Sequence, residues 1–294
     1  MSASLDSLQR SAERWAPHGP PVIVFNKSHS GSRVLARLLR EAGVFMGDDR
    51  NESEDSADFL RLIEPLVERW YPDYGRLLRE GDEDLSPLID SVIAHHLAPC
   101  PPGARWGWKL CETLYILPVL IRLFPDAWYV HLIRDGRDVA FSNHVAPVTP
   151  FWRKVYFDTA DIAAWRGLPL THRSYERAPH VFNAQHWVNS VRVARHYGAM
   201  IGPRYVEVRY EDLVRDPGAT GQRLLEILGI AASEDRLRAF AASVGREKVG
   251  KHRAQSRRRQ IQALEVLRPT LAAFGYDDDP ETPQSGWRRR LRGL

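Results

Sequence analysis

Cysteine and long apolar stretches are scarce in this chain. Two cysteines, Cys100 and Cys111, stand among 294 residues, too few for the disulfide framework of a small secreted protein. No run approaches the roughly 18 apolar residues of a membrane-spanning helix, and residues 1–20 lack the apolar core of a signal peptide. We therefore expect a soluble chain that does not insert into membranes and that works in the reducing cytoplasm.

Excess charge and metal ligands are scarce as well. The chain has 41 Lys and Arg against 37 Asp and Glu, a net charge of +4, and this mild balance does not call for a nucleic-acid partner. Basic runs at Arg257–Arg259 and Arg288–Arg290 leave a non-catalytic, salt-sensitive binding module as the least favoured alternative. The pair His95-His96 has no partner at metal-ligand spacing. We therefore predict no metal site and place both side chains on a helix surface.

The most informative stretch is 22–39, which reads VIVFNKSHSGSRVLARLL. Four apolar residues, Val22–Phe25, are typical of a buried strand in a parallel sheet, and apolar residues recur from Val34 onward at helical spacing. Between them, Ser30-Gly31-Ser32 forms a small-residue turn. Such a strand–turn–helix points backbone N–H groups and the positive end of the helix dipole at one spot, which favours a phosphate ligand. A plain strand–turn–helix without a ligand is the competing interpretation.

The turn departs from the loop of P-loop NTPases, which needs Gly, four residues, then Gly-Lys-Ser/Thr. Aligned on Gly31, this chain has Asn26 at the first glycine, Ser32 at the lysine and Arg33 at the magnesium-binding hydroxyl. The groups that bridge the β- and γ-phosphates and hold magnesium are therefore missing. A nucleotide-dependent kinase or phosphotransferase stays open as an alternative, but the motif argues against it.

A second segment, 128–142, reads WYVHLIRDGRDVAFS. Trp128–Ile133 has the aromatic and β-branched residues of a strand, and helical character resumes after the charged turn. Arg134 follows the strand's carboxyl end, where open α/β sheets bind ligands, and its planar guanidinium suits a phosphate. Ser142 is placed to reach the same anion. A surface ion-pair network of Arg134 with Asp138 is the alternative.

Together the two segments resemble the sulfotransferases that use 3′-phosphoadenosine 5′-phosphosulfate (PAPS). Ser28–Arg33 is similar to that family's Pro-Lys/Arg-Ser-Gly-Thr-Thr loop, and Arg134–Ser142 is similar to its Arg-(Asp/Asn)-Pro/Gly-Arg-Asp segment with a following Ser. Two further runs appear in the family's order, Phe124–Ala127 and Val206–Pro217 (VEVRYEDLVRDP). The resemblance covers residues 22–251. It implies a bacterial or cytosolic type of member with a P-loop-NTPase-like α/β fold, in which helices flank a central parallel sheet.

The resemblance also implies which residues hold the cofactor. The first loop would hold the 5′-phosphosulfate through a continuous set of residues: Lys27, Ser28, His29, Ser30, Gly31, Ser32 and Arg33. Arg134 and Ser142 would hold the 3′-phosphate, and Tyr210 of the YEDL run is a further cofactor contact. A C-terminal loop would close over the 3′-phosphate with Lys251, His252 and Arg253. A solvated basic stretch is the alternative for that loop.

The chemistry implied by the resemblance is in-line transfer of a sulfuryl group from PAPS to a hydroxyl or amine of a small-molecule, carbohydrate or natural-product acceptor, with no metal required. His29 stands where the family has Lys or Arg, so either His29 or Lys27 is expected to contact the leaving phosphate. Glu112, after the short strand WGWKL, is the first candidate for the base, and we expect Lys109 to keep its carboxylate ionised. Helix capping or a salt bridge with Lys109 is the alternative role of Glu112. His144 is the second candidate for the base.

The domain organisation is predicted from the composition of the chain and from its proline, glycine and polar stretches. We predict a loose leader over residues 1–20, a single domain over 21–277 and a basic tail over 278–294. Within the domain, residues 48–105 are predicted as a mainly helical insertion and residues 143–177 as an aromatic-rich lid. The oligomeric state is open, with a homodimer as one option.

Overall fold

A computed structural model describes residues 2–142, 151, 154, 155, 176–245 and 249–276 of the chain. The candidate base His144, the basic tail and most of the aromatic-rich lid lie outside these residues. What the sequence predicts for those three features therefore stays a prediction.

A four-stranded parallel sheet forms the centre of the fold. Its strands are β1 (Val22–Asn26), β2 (Gly107–Lys109), β3 (Trp128–Ile133) and β4 (Tyr205–Arg209), in the spatial order β2-β1-β3-β4. β1 is buried along its whole length, which explains its nearly uninterrupted apolar sequence, since helices cover both faces of a parallel sheet. The predicted α/β architecture around a central parallel sheet is confirmed.

Helices flank this sheet and build the region between β1 and β2. In chain order they are α1 (Ala3–Trp15), α2 (Arg33–Glu41), α3 (Leu60–Trp70), α4 (Tyr74–Glu80), α5 (Ser86–Leu97), α6 (Leu117–Leu123), α7 (Gly136–Ala140), α8 (Pro179–Ile201), α9 (Tyr210–Arg215), α10 (Pro217–Leu228), α11 (Glu234–Ala242) and α12 (Arg257–Ala273). Short 3₁₀ segments occur at Ala16–His18, Ala57–Phe59, Cys111–Ile116, Gly202–Arg204 and Lys251–Ala254. In the described ranges, no helix is both long and apolar enough to cross a bilayer.

Alternate residues of β1 face two separate apolar cores. Ile23 and Phe25 pack in a core built with residues of α1, α3, α5 and α6. Val22 and Val24 pack in a second core with residues of α2, α9, α10 and α11. Since successive side chains of a strand point to opposite faces, the two cores lie on the two sides of the sheet. With both faces covered, the strand ends are the part of the sheet left for ligands.

The N-terminal segment is a packed helix rather than the predicted loose leader. Ser2 begins α1, and its hydroxyl accepts a hydrogen bond from the backbone N–H of Leu5 at 3.2 Å. Leu8 is fully buried, and Trp15 donates from its indole N–H to Asp90 at 2.8 Å. The helix packs against α4, α5 and α6. Small serine side chains fill much of its buried face, so a hydropathy pattern alone does not reveal it.

The placement of His96 on a helix surface is wrong. Its side chain is buried, with Nδ1 2.6 Å from Asp58 Oδ2 and Nε2 3.0 Å from the carbonyl oxygen of Gly107. His96 lies on the face of α5 that also carries the buried Ile89 and Ile93. His96 follows Ile89 and Ile93 at helical spacing, so the sequence could have placed it on the same buried face. Its carboxylate partner Asp58 lies 38 residues away in sequence and could not be predicted.

Candidate active site

The carboxyl ends of the strands lie at one edge of the sheet, and predicted site residues lie at or just beyond these ends. Lys27 follows β1, Arg134 follows β3 and Tyr210 follows β4, and Glu112 lies three residues beyond the end of β2. Because β1 lies between β2 and β3, the loop after β1 is flanked by the loops of both neighbours. This arrangement is the usual ligand position of an open α/β sheet.

The loop after β1 folds back on itself before α2 begins. The carbonyl oxygen of Lys27 accepts hydrogen bonds from the backbone N–H of Ser30 at 3.2 Å and from the Ser30 hydroxyl at 2.6 Å. His29 and Gly31 adopt the left-handed region, with φ of 67° and 91°. α2 starts after Ser32, whose side chain does not cap it. The N–H groups of Val34 and Leu35 donate to the carbonyl oxygens of Gly31 and Ser32 at 3.2 and 3.0 Å, and the positive end of the helix dipole faces the loop.

Tyr210 joins the first loop to the residue after β3. A Cβ atom on Gly31 would lie 2.5 Å from Cε2 of the Tyr210 ring. The guanidinium of Arg134 lies over the same ring, 4.7 Å from its centre, which is a cation–π distance. Glycine is thus needed at position 31 for two reasons, its positive φ and the close approach of the ring.

The ends of β1 and β2 place Lys27 and Glu112 in one electrostatic environment. Lys27 is 2% exposed, and its Nζ donates to the hydroxyl of Ser28 at 2.9 Å and to the carbonyl of Ser28 at 3.2 Å. Burial lowers the pKa of Lys27 to about 7, although Cys111 and Glu112 oppose that effect. Burial raises the pKa of Glu112 to about 7. An ammonium and a carboxyl group that both exchange protons near neutral pH thus sit at the same edge.

Lys109 does not keep Glu112 ionised. The Nζ of Lys109 lies 2.6 Å from Oδ1 of Asp55 and donates to the carbonyl of Ser53 at 2.8 Å. Burial is the main cause of the raised pKa of Glu112, the charge of Asp55 adds to it, and Lys109 and Lys27 only reduce the rise. The expectation of a permanently ionised Glu112 is therefore wrong. Asp55 lies in a polar loop far from β2 in sequence, so its competition for Lys109 left no local signal.

His29 is exposed and its imidazole is neutral at pH 7. Partial loss of hydration, followed by the charges of Lys27, Lys251 and Arg134, lowers the pKa of His29 to about 4. A neutral ring can donate or accept a hydrogen bond, but it does not supply the fixed charge of a lysine or arginine at this position. Of the two candidates for the leaving phosphate, only Lys27 can therefore carry a positive charge near pH 7.

Arg134 is nearly buried beside the first loop, with 3% of its surface exposed. Its Nη1 lies 3.5 Å from the carbonyl oxygen of His29, and its Nη2 donates to Oδ2 of Asp138 at 3.1 Å. The ion pair that was the alternative to phosphate binding is therefore present, but it is buried rather than on the surface. A buried partner orients the planar guanidinium, so the pair and a phosphate-binding role are compatible.

Asp138 also binds the C-terminal loop (Val249–Ala254). Its Oδ2 accepts from the backbone N–H of Gly250 at 2.8 Å, and its Oδ1 accepts from the backbone N–H of His252 at 3.1 Å and from His252 Nδ1 at 2.7 Å. Burial alone would raise the pKa of Asp138, but the His252 hydrogen bonds and the charge of Arg134 outweigh burial and lower it to about 2. The sequence showed Asp138 only as an ion-pair partner of Arg134, because Gly250 and His252 lie far along the chain.

Of the remaining residues predicted to hold the cofactor, some contact each other and others are exposed to solvent. The Nζ of Lys251 lies 2.5 Å from the hydroxyl oxygen of Ser142, so two residues predicted for the 3′-phosphate meet each other. Arg33 and Arg253 are exposed, and Ser28 is half-buried.

Ammonium, guanidinium, hydroxyl and backbone N–H groups dominate this edge, and such donors suit anionic oxygens. Among the residues that the structure describes, no group of three or more His, Cys, Asp or Glu side chains is placed to hold a metal ion.

Comparison with known proteins agrees with this geometry. A model of the sulfotransferase family matches residues 21–235. Among solved structures, the sulfotransferase STF9 from Mycobacterium avium is 14% identical with a TM-score of 0.53, over 92% of this chain and 83% of that chain. A sulfotransferase from Alicyclobacillus acidocaldarius is 14% identical with a TM-score of 0.50, over 86% of this chain and 93% of that chain. A search of curated proteins finds no significant match.

A parallel sheet flanked by helices, with a tight loop between its first strand and α2, defines a P-loop-like α/β protein, and the two similar structures share this fold. Since the family model covers most of its length, the chain belongs to the sulfotransferase family. The enzyme class and the reaction predicted from the motifs, transfer of a sulfuryl group from PAPS, are those of this family. Nothing in the comparisons supports the kinase alternative.

Proposed function

We propose that separate loops of this chain bind the 5′-phosphosulfate and the 3′-phosphate of PAPS. Its sulfuryl group then passes to a hydroxyl or amine of a small-molecule or carbohydrate acceptor. The observation that carries this proposal is the convergence of Lys27, Arg134 and Lys251. Lys27 belongs to the first loop, and the Nη1 of Arg134 lies 3.5 Å from the carbonyl oxygen of His29 in that loop. Lys251 of the C-terminal loop contacts Ser142, which follows Arg134 in the chain. Such a donor set suits a ligand that carries one anionic group at its 5′ end and another at its 3′ end.

The loop Lys27–Arg33 and the start of α2 are proposed to hold the 5′-phosphosulfate. Backbone N–H groups at the helix start supply hydrogen bonds and partial positive charge there. Arg134, Ser142 and Lys251 are proposed to hold the 3′-phosphate, supported by the contact of Lys251 with Ser142 and by the burial of Arg134 next to the first loop. Tyr210 lies between the two regions and holds both in place through its ring.

Two side chains are proposed to assist the transfer, Glu112 as the base and Lys27 as a hydrogen-bond donor to the leaving group. PAPS supplies the sulfuryl group when bound and departs as adenosine 3′,5′-bisphosphate. Glu112 accepts the proton from the acceptor hydroxyl or amine as the new bond to sulfur forms, and its pKa of about 7 suits a base that works near neutral pH. Lys27 donates a hydrogen bond to the phosphate oxygen that leaves sulfur. Its pKa of about 7 in the free enzyme rises when an anion binds beside it, so the ammonium form is present in the complex.

A small cavity is lined in part by Leu114 and Tyr115, which follow Glu112 in the chain. Glu112 and Tyr115 are three residues apart in the 3₁₀ segment Cys111–Ile116, and residues at this spacing share a face of a 3₁₀ helix. Tyr115 lines the cavity, where its hydroxyl lies 3.0 Å from Nε2 of His186. Other lining residues are Tyr71, Leu114, Ser190 and Val193. The cavity is much smaller than the sites that hold small-molecule ligands, so the proposed acceptor class rests on the family and not on this cavity.

Calorimetric titration tests the donor assignment. We expect adenosine 3′,5′-bisphosphate to bind in EDTA, and ATP with magnesium to bind far more weakly, because the lysine and hydroxyl that hold Mg-ATP in P-loop enzymes are missing. Tight binding of Mg-ATP together with no binding of the bisphosphate would overturn the proposal in favour of a phosphotransferase. Mass spectrometry of PAPS reactions with a panel of phenols, amines and sugars then identifies the acceptor class.

Location and assembly stay predictions. The small number of cysteines supports a cytoplasmic location, which fractionation of the source cells would test. Sedimentation equilibrium of the purified chain would distinguish a monomer from a homodimer.

A further inference from the structure

We propose that Asp138 is a positioning residue that gives this enzyme its preference for nucleotides with a 3′-phosphate. The inference rests on the proposed function, because it concerns the groups assigned to that phosphate. Asp138 itself is not assigned a contact with the ligand. Its role is to fix the distance between Arg134 at the end of β3 and Lys251 on the C-terminal loop.

One carboxylate holds two segments that are far apart in sequence. Asp138 is 1% exposed, and it accepts hydrogen bonds from the guanidinium of Arg134 at 3.1 Å and from the backbone N–H of Gly250 at 2.8 Å through the same oxygen. Its other oxygen accepts from the backbone and from the ring of His252, at 3.1 and 2.7 Å. Lys251 lies between Gly250 and His252, so both flanks of this lysine are attached to Asp138.

This attachment places the phosphate donors. With its flanks held, Lys251 reaches Ser142 at 2.5 Å, and Ser142 lies one helical turn after Asp138, where its hydroxyl donates to the Asp138 carbonyl at 3.3 Å. Arg134, Ser142 and Lys251 are thus tied to one residue through its side chain or its backbone. Charge-assisted hydrogen bonds are the stronger kind, and donors preorganised in this way bind an anion without a further ordering cost.

The sign of the expected effect separates positioning from simple electrostatics. A carboxylate near a bound phosphate repels it, so a purely electrostatic role predicts tighter phosphate binding when the charge of Asp138 is removed. Positioning predicts the opposite. In Asp138→Asn the amide NH₂ cannot accept hydrogen bonds. Either Arg134 and Gly250 or both donors of His252 therefore lose their acceptor, and the C-terminal loop is loosened in both cases.

The test compares two probes by calorimetry in EDTA, adenosine 3′,5′-bisphosphate and adenosine 5′-monophosphate. They share the adenine, the ribose and the 5′-phosphate, so the ratio of their dissociation constants reports the 3′-phosphate alone. We expect Asp138→Asn to weaken binding of the bisphosphate by about tenfold or more, as for loss of a hydrogen bond to a charged group. Binding of the monophosphate should change by less than about threefold.

Asp135→Asn is the matched control. Asp135 lies in the same turn, caps α7 by accepting from the backbone N–H of Arg137 at 2.8 Å, and pairs with the Arg137 side chain at 2.7 Å. Its replacement removes the ion pair with Arg137 at the start of α7 without removing an acceptor from the C-terminal loop. We expect it to lower the melting temperature and leave the ratio of the two dissociation constants unchanged. An equal loss of the ratio in both variants would show that Asp138 acts only through the stability of α7, and would overturn the proposal.

Hydrogen exchange of the ligand-free protein gives a second readout. The amides of Gly250 and His252 donate to Asp138, so we expect a peptide that covers the C-terminal loop to exchange faster in Asp138→Asn than in the wild type. Unchanged exchange, or equal or tighter binding of the bisphosphate, would overturn the proposal. A wild-type enzyme that does not prefer the bisphosphate would instead contradict the proposed function itself.

His252→Ala replaces Asp138→Asn if the latter shows no cooperative melting transition. This variant removes the ring donor from Asp138 and leaves α7 intact. We expect partial loss of the 3′-phosphate preference together with faster exchange of the Gly250 amide. Loss of the 3′-phosphate preference with unchanged exchange of the Gly250 amide would assign His252 as a direct ligand. No loss of the preference would show that the C-terminal loop does not depend on Asp138. Either result would overturn the proposal.

Discussion

Replacement of Glu112 by glutamine should abolish most of the activity and stabilise the folded protein at the same time. Glutamine has nearly the same shape as a protonated glutamate but cannot take up a proton from the acceptor. We expect turnover to fall by about 10²–10⁴, the usual range for a general base, while adenosine 3′,5′-bisphosphate binds as before. In the wild type, activity should decline as the pH drops below about 7, because the carboxyl group then holds its proton.

The stability effect follows from the same pKa. In the unfolded chain the ordinary pKa of Glu112 is 4.5, whereas burial raises it to about 7 in the folded protein. Above pH 7 the folded state therefore carries an unfavourable buried charge, which costs up to about 3 kcal/mol of the free energy of unfolding. This cost shrinks as the pH falls from 7 towards 4.5, because the folded group is then already neutral. Glu112→Gln should thus be more stable than the wild type at pH 8, with a smaller difference at pH 5.

Urea unfolding and turnover of the same preparations test both parts. Glu234→Gln is the matched control, because Glu234 lies at the exposed start of α11, and such surface substitutions change stability by about 0.5 kcal/mol or less. The same difference between Glu112→Gln and the wild type at pH 5 and pH 8 would refute a raised pKa for Glu112. Full turnover of Glu112→Gln would refute its role as the base and move the assignment to His144 or His29.

Three further substitutions test the cofactor loops. Arg134→Ala should weaken binding of adenosine 3′,5′-bisphosphate by about 2–5 kcal/mol, as for removal of one partner of a buried charge pair; unchanged affinity in calorimetry would exclude Arg134 as a ligand of the 3′-phosphate. His29→Asn should alter that affinity by less than about 1 kcal/mol at pH 7, because the ring is already neutral and asparagine tolerates a φ of 67°; a larger loss would give His29 a direct role. Gly31→Ala should destabilise the protein by about 1–3 kcal/mol more than Gly103→Ala in urea unfolding, since both have positive φ but only the Cβ at position 31 meets the Tyr210 ring; equal losses would show that the ring gives way.

Much of the fold was predictable because the signal for it is local. The apolar run of β1, the aromatic and β-branched run of β3 and the small-residue turn at Ser30-Gly31-Ser32 each lie within a few residues. Pro217–Leu228 and Glu234–Ala242 likewise have helical patterns that match α10 and α11. The N-terminal helix was missed because serines rather than apolar side chains fill its buried face.

The candidate site was predictable only as a set of residues. Parallel strands present their carboxyl ends at one edge, so the positions after β1 and β3 had to lie near each other once the sheet was assumed. Which side chains pair there depends on contacts across long sequence separations. Asp138 joins Arg134 to the C-terminal loop, and Asp55 takes the ammonium of Lys109 away from Glu112.

The amino-acid sequence by itself thus determined the central strands, several helices, the small-residue turn after β1 and the family, because these depend on backbone preferences and short motifs. The tertiary structure decided the protonation states and the positions of the site groups. Burial is a property of the whole fold. It is the largest cause that brings the pKa values of Lys27 and Glu112 to about 7 and lowers that of His29 to about 4.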